Sequence, residues 1–362
     1  MVEFGGPDWE LSWPRELFVQ EARWLLSGTN LVRAASLKAY MWSDEVELLL
    51  DEAFAAQEPI QAFLRSPRHS FLEQLVQHAA DLPEARHRRP YWPDRQHTPR
   101  QPKEPDFDTA MDGFVEVVGE LEARGYFQQA FPGGCPDVPP SELPDPSAVL
   151  ETHLHAASLW PLAENRRLWD EEMFFGLVEV LHDLVARPRR REWHDYGQDW
   201  HYSQFALHPG RQLYRWRVNR LLEAAMIPYR LASSGEDEGR LVSVPSDQAR
   251  AELLDARGAR GADDPVGHAV ALFIRREASV QDRRSAVLAL AGVLEERRNL
   301  LKEELLKGDE QELFRIANQF NLRHQGADQR TDYAPEFLEW LFYWYLATVD
   351  LTDKLLARRD TR

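Results

Sequence analysis

The chain has 362 residues, with 43 Lys+Arg against 60 Asp+Glu and a formal net charge of −17. Hydrophobic residues at 43% and charged residues at 28% give a globular composition that excludes wholesale disorder. The single cysteine, Cys135, excludes a disulfide framework and a cysteine-based zinc site, and it fits a reducing compartment. The length favours two cores.

Residues 1–13 lack a basic start followed by an apolar run, so no secretory signal is expected. The longest apolar stretch, Leu341 to Val349, is far short of the roughly 20 residues that span a bilayer. The expectation is a cytoplasmic protein with no membrane partner. Charge is unevenly placed. Residues 1–82 carry a net −7, 83–105 a net +3, 106–186 a net −13, and 187–362 a net of zero. Nucleic-acid affinity rests largely on phosphate neutralisation, so only the C-terminal half is an expected RNA partner surface. The acidic 106–186 region suits a basic protein partner.

In chain order, apolar residues three and four apart predict helices over Glu16–Leu26, Asp44–Phe54 and Ser70–Ala80. The segment 83–105 has six prolines, with Arg86, Arg88, Arg89, Arg95, Arg100 and Lys103 between them. That proline density cannot continue a helix or a central strand, and it reads as a linker. Asp108 to Tyr126 is a predicted helix with Asp108 as its cap. Phe131 to Pro146 reads as a loop. Trp169–Val185, ended by Pro188, and Gly210–Ala225 are further predicted helices.

Alternation on both sides of Ser233–Gly239 predicts a β-hairpin over Ile227–Leu231 and Arg240–Val244. Beyond it, Gly267–Arg276 is a short predicted helix. Ser279 opens a long one through Leu306, with Asp282 completing a capping box. Asp309 opens a third, and Pro335 to Ala357 forms a fourth with proline in its favoured first turn. The stretch from Phe337 to Leu346 is apolar on all sides, which suits a core or a subunit interface. The fold class is therefore mainly α: an N-terminal helical region and a C-terminal four-helix bundle, with one small β-hairpin between them. The expected divisions are 1–82, the linker 83–105, an acidic helical region 106–250, and the bundle 251–362.

No phosphate-binding glycine loop, dinucleotide fingerprint, nucleophile elbow or His-Glu-x-x-His is present, so no cofactor is expected. Two segments carry possible chemistry. The first, read as a loop, is Trp193-His194-Asp195-Tyr196-Gly197-Gln198-Asp199-Trp200-His201-Tyr202, beside Arg187, Arg189, Arg190 and Arg191. Its aromatic rings and Arg190, Arg191, His194 and His201 are candidates for nucleic-acid or ligand contact. Packing of the aromatics with local hydrogen bonding by the polar groups is the competing reading. Imidazole with carboxylate can also ligate a metal, but no metal site is expected; His153 and His155, two apart on a helix, do not face each other.

The second is Phe320-Asn321-Leu322-Arg323-His324-Gln325-Gly326-Ala327-Asp328-Gln329, at the end of the third bundle helix. A histidine can move the proton in RNA cleavage while an adjacent arginine stabilises the phosphorane charge, without metal. A polar helix end near the negative dipole pole is the structural alternative.

The C-terminal run through Phe314-Arg315-Ile316-Ala317-Asn318-Gln319-Phe320 and Arg323-His324, followed by the aromatic last helix, resembles HEPN domains of prokaryotic defence and toxin systems. Leu213-Tyr214-Arg215-Trp216-Arg217-Val218-Asn219 and Ile227-Pro228-Tyr229-Arg230-Leu231 resemble the segment preceding such domains in AbiJ-type abortive-infection proteins. The resemblance covers roughly residues 165–360. It implies a homodimer through the C-terminal bundle and metal-independent ribonuclease activity, with Arg323 and His324 as the reacting pair and Gln325 nearby. In the family a histidine follows the arginine after four to six residues. Here the corresponding positions hold Asp328, Gln329 and Arg330. Either His324 has taken over proton transfer, or the domain is a non-catalytic oligomerisation or partner-binding scaffold.

Overall fold

A computed structural model describes residues 4, 6–27, 40–65, 68–84, 105–132, 143–194, 199–245, 248–258, 264–305, 308–319 and 335–360. They are mainly helical, and their contacts divide the chain into two compact units, Met1–Ile227 and Pro228–Arg362. The first unit carries a net charge of −13 and the second −4.

In the first unit, α1 (Arg15–Leu26), α2 (Tyr40–Ala53), α3 (Glu58–Arg65) and α4 (Arg68–Gln77) pack around aromatic side chains. Trp13, Phe18, Phe63 and Phe71 are essentially inaccessible there. Next comes α5 (Phe107–Ala123), whose cap is Asp106 and not the expected Asp108. Asp106 accepts the Thr109 backbone N–H at 3.0 Å and the Thr109 hydroxyl at 2.8 Å. Both carboxylate oxygens are thus satisfied three residues ahead, and Asp108 falls inside the first turn. Helices α6 (Pro146–Leu154) and α7 (Leu162–Asn165) lead to α8 (Glu171–Leu184), capped by Asp170 on the Met173 N–H at 2.8 Å.

The segment after α8 corrects the loop expected over 193–202. Arg187–His194 (β1) and Asp199–Ala206 (β2) form an antiparallel hairpin, with Arg191 opposite Tyr202 and Trp193 opposite Trp200. Pro188, expected to end the helix, lies within β1 opposite Phe205. Helix α9 (Leu207–Ala224) follows and crosses the base of the hairpin closely enough to require glycine. A Cβ on Gly210 would stand 2.5 Å from the Arg187 backbone nitrogen. On the other side, Phe114 of α5 meets Phe174 of α8 edge-on at 5.5 Å and Tyr214 of α9 at 6.4 Å.

The second unit opens with the hairpin expected from the sequence, β3 (Tyr229–Leu231) paired with β4 (Leu241–Ser243) in antiparallel register. Helices α10 (Gln248–Gly258), α11 (Pro265–Ile274), α12 (Val280–Glu296), α13 (Arg298–Glu304), α14 (Asp309–Gln319) and α15 (Pro335–Asp360) complete it. The Ser279–Asp282 capping box that starts α12 is present. The long helix expected through Leu306 breaks at Arg297, whose φ of −94° and ψ of 10° leave the helical region. Arg297 is held at the break by Thr352 at 2.7 Å and Asp353 at 2.8 Å, both on α15. The core joins α11, α12, α14 and α15, with Phe273 stacked on Phe342 at 3.8 Å. Helix α15 is not buried on all sides: Leu341, Phe342 and Tyr345 face the core, whereas Trp340 is 47% exposed and stacks on Trp344.

Among the described residues no helix is long and apolar enough to cross a membrane.

Candidate functional site

Alternate residues of a strand share a face, so Arg187, Arg189, Arg191 and Trp193 form one row along β1. Each arginine in this row is stacked on a tryptophan and paired with a carboxylate. Arg187 donates to Glu21 at 2.7 Å and to Glu52 at 2.9 Å, with its guanidinium 5.0 Å from the Trp13 ring centre. Arg189 grips Glu21 with two hydrogen bonds of 2.7 and 3.0 Å and lies 3.7 Å from the Trp24 ring centre. Arg191 sits 3.6 Å from Asp51 and 4.5 Å from the Trp200 ring centre. Side-chain exposure rises along the row, from 3% through 16% to 25%.

Arginine suits these positions. Its planar fork bonds a carboxylate in plane while its face stacks on a ring. Burial pushes the Glu52 carboxyl up, with Arg187 opposing. Arg187 itself stays charged, because Glu52, Tyr126 and Glu21 outweigh the cost of its own burial. The Tyr126 hydroxyl donates to Glu52 at 3.3 Å, and burial pushes that phenol well up.

The candidate contact residues of the hairpin are therefore placed as follows. Arg191 belongs to the Trp–carboxylate row, and Arg190 pairs with Glu192 on the opposite face. His201 lies 3.8 Å from Asp199. His194 ends β1 by its backbone. Beyond the arginine row, Trp193 and Trp200 meet edge-on at 5.2 Å and are 44% and 40% exposed. Arg323, His324 and Gln325 lie outside the described residues.

A second titratable group was not anticipated. His182 on α8 is 1% exposed. Its Nδ1 is 3.2 Å from the Asp183 carboxylate and its Nε2 is 3.0 Å from Arg215 Nη1. The guanidinium can only donate, so Nε2 accepts and Nδ1–H donates to Asp183, which is the neutral tautomer. Burial, with Arg215 adding to it, lowers its pKa to about 4 against the pull of Asp183.

The remaining feature is an open cleft of about 650 Å³ between the first turns of α5 and α8. Asp106, Asp108, Asp170 and Glu171 supply carboxylates, and Phe107, Met111 and Trp169 supply an apolar wall. Arg166 pairs with Asp108 at 3.0 Å and Asp112 at 2.9 Å, and its guanidinium lies 5.9 Å from the Trp169 ring centre. Sequence reasoning missed this cleft, since its two halves are brought together only by the packing of α5 and α8 with α9. The one signal available was the density of acidic residues in 106–186.

No family model, curated protein or solved structure matches the chain. Among the described residues no group of three or more His, Cys, Asp or Glu side chains is placed to hold a metal ion.

Proposed function

We propose that the protein is a non-catalytic interaction protein whose acidic N-terminal unit docks a basic protein partner. One observation carries this reading. The basic run at 187–191, the most cation-dense part of the first unit outside 83–105, is turned inward or paired: Arg187 and Arg189 with Glu21 and Glu52, Arg191 with Asp51, and Arg190 with Glu192. Phosphate binding depends on cations that can release counterions, and these already have carboxylate partners. The unit is left with a net charge of −13, a field that steers basic partners toward it.

The experiment sets this reading against RNA cleavage by Arg323 and His324. The purified full chain is incubated with total RNA without added metal, and in parallel it is cross-linked in lysate and analysed by mass spectrometry. The expected result is intact RNA, with cross-links to basic proteins concentrated in 106–186. Metal-free cleavage that disappears in His324→Ala would reject the scaffold reading in favour of the ribonuclease.

A further inference from the structure

We infer that α15 pairs with α15 of a second copy of this chain, lying antiparallel across an outward apolar stripe. The pairing belongs to the second unit and is independent of the docking reading, which concerns the first.

Helix α15 has two apolar faces. Leu341, Phe342, Tyr345, Leu346 and Val349 are sealed in the core of its own unit. Phe337, Trp340, Trp344, Ala347, Leu351 and Leu355 recur three or four residues apart and so form a second stripe. Phe337, Trp340 and Leu351 are 49%, 47% and 42% exposed, Ala347 is exposed, and Trp344 and Leu355 are half-buried. The stripe runs for about 27 Å along the helix, and a continuous exposed apolar surface marks an interaction site. Trp340 and Trp344 already stack at 5.4 Å, so little of their freedom remains to be lost on docking.

Charge at the two ends of the stripe identifies the occupant. Glu339, Lys354 and Arg359 have partners within the chain. Glu336, just before Phe337, and Arg358, three residues beyond Leu355, are exposed. A second α15 running in the opposite direction brings Arg358 to Glu336 at both ends. The same two-fold axis sets Trp344 against Ala347 of the other copy, Trp340 against Leu351 and Phe337 against Leu355. Large side chains thus face smaller ones, and each contact occurs twice, as the self-complementary patch of a two-fold dimer requires. A parallel copy would set Glu336 against Glu336 and Arg358 against Arg358, and side-by-side helix dipoles would add to that repulsion. The half-exposed rings of Phe337 and Trp340 contribute about 300–500 Å² over two copies. With the rest of the stripe the interface lies near the lower limit for specific complexes, about 1,200 Å², so the dimer is a weak one.

The test sediments the full chain to equilibrium at about 1 to 200 µM, the range in which so small an interface dissociates. A monomer–dimer equilibrium is expected within it. Ala347→Glu sets two carboxylates against each other at the axis and should raise the dissociation constant at least about thirtyfold. Glu336→Arg and Arg358→Glu should each raise it about fivefold, two exposed pairs being lost together. The double exchange should restore the wild-type value. All these positions are exposed, and melting temperatures check that each variant is folded.

A monomer throughout would overturn the pairing and leave the stripe to a different protein. A dimer indifferent to Ala347→Glu would place the contact elsewhere and overturn it too. A double exchange no better than the single ones would reject the antiparallel order, and it decides the matter if Ala347→Glu fails to fold. None of these outcomes bears on the docking reading.

Discussion

His182 makes the stability of the first unit depend on pH in a window that can be worked out in advance. Its folded pKa is about 4 against an ordinary value of 6.5. Above pH 6.5 the ring is neutral both folded and unfolded and contributes no slope. Between 6.5 and 4 the unfolded chain binds a proton that the folded chain refuses, so stability falls as pH falls. At 1.36 kcal/mol per pKa unit the full loss approaches about 3 kcal/mol, and about 2 kcal/mol of it is reached by pH 5. The structural cause is specific. A proton on Nε2 would face Arg215 Nη1 at 3.0 Å, setting two cations against each other in a buried site. Carboxylates elsewhere also titrate as the pH drops, so the measurement is a difference. Opening free energies of α8 and α9 are obtained by hydrogen exchange and mass spectrometry at pH 7 and pH 5, for wild type and for His182→Gln. The glutamine keeps an acceptor for Arg215 but cannot titrate. Wild type should lose about 2 kcal/mol more than the variant between the two pH values. Parallel losses in the two proteins would refute the assignment of His182 as a neutral, buried acceptor.

Two further outcomes concern the arginine row. Gly210→Ala places a methyl carbon 2.5 Å from the Arg187 nitrogen and 2.8 Å from the Ala186 carbonyl carbon; backbone cannot yield as a side chain can, so a loss of about 1–3 kcal/mol or more is expected in chemical denaturation. Arg187→Met alone should cost about 3–5 kcal/mol because it leaves Glu52 buried with only the Tyr126 hydroxyl, Glu21 keeping Arg189, whereas the double change with Glu52→Gln should recover much of that. A double variant no more stable than the single one would show that the arginine matters for shape and not for charge.

Much of the helical framework is legible in the sequence because its burial is apolar. Tyr214, Val218 and Leu222 on α9 and Val287, Leu290 and Leu294 on α12 are buried at helical spacing. The Ser279–Asp282 capping box marks the start of α12 by chemistry alone. The break at Arg297 has no glycine or proline to announce it; it depends on Thr352 and Asp353 from a helix more than fifty residues away. Asp106 and Asp108 both qualify as caps by residue type, and only the position of Thr109 separates them.

The β1–β2 hairpin escaped for a more instructive reason. Strand recognition relies on apolar residues alternating with polar ones, and β1 has charged residues on both faces. One face carries Arg187, Arg189 and Arg191, and the other holds Pro188, Arg190 and Glu192. The arginines of the first face are satisfied by tertiary partners, whereas Arg190 pairs with Glu192 on the strand itself, and the Arg190 and Arg191 side chains are equally exposed at 25%. Nothing in the strand says which is which, because Glu21, Asp51 and Glu52 lie on α1 and α2. The same ambiguity governs function. An arginine-rich segment beside tryptophans and histidines reads as a polyanion-binding surface when its counter-charges are out of view. Once α1 and α2 are packed against it, Trp13, Trp24 and Trp200 are platforms for the protein's own guanidinium groups, and the carboxylates of α1 and α2 are their counter-charges. The partners a folded chain supplies, not the composition of the segment, decide whether such arginines are available to a polyanion.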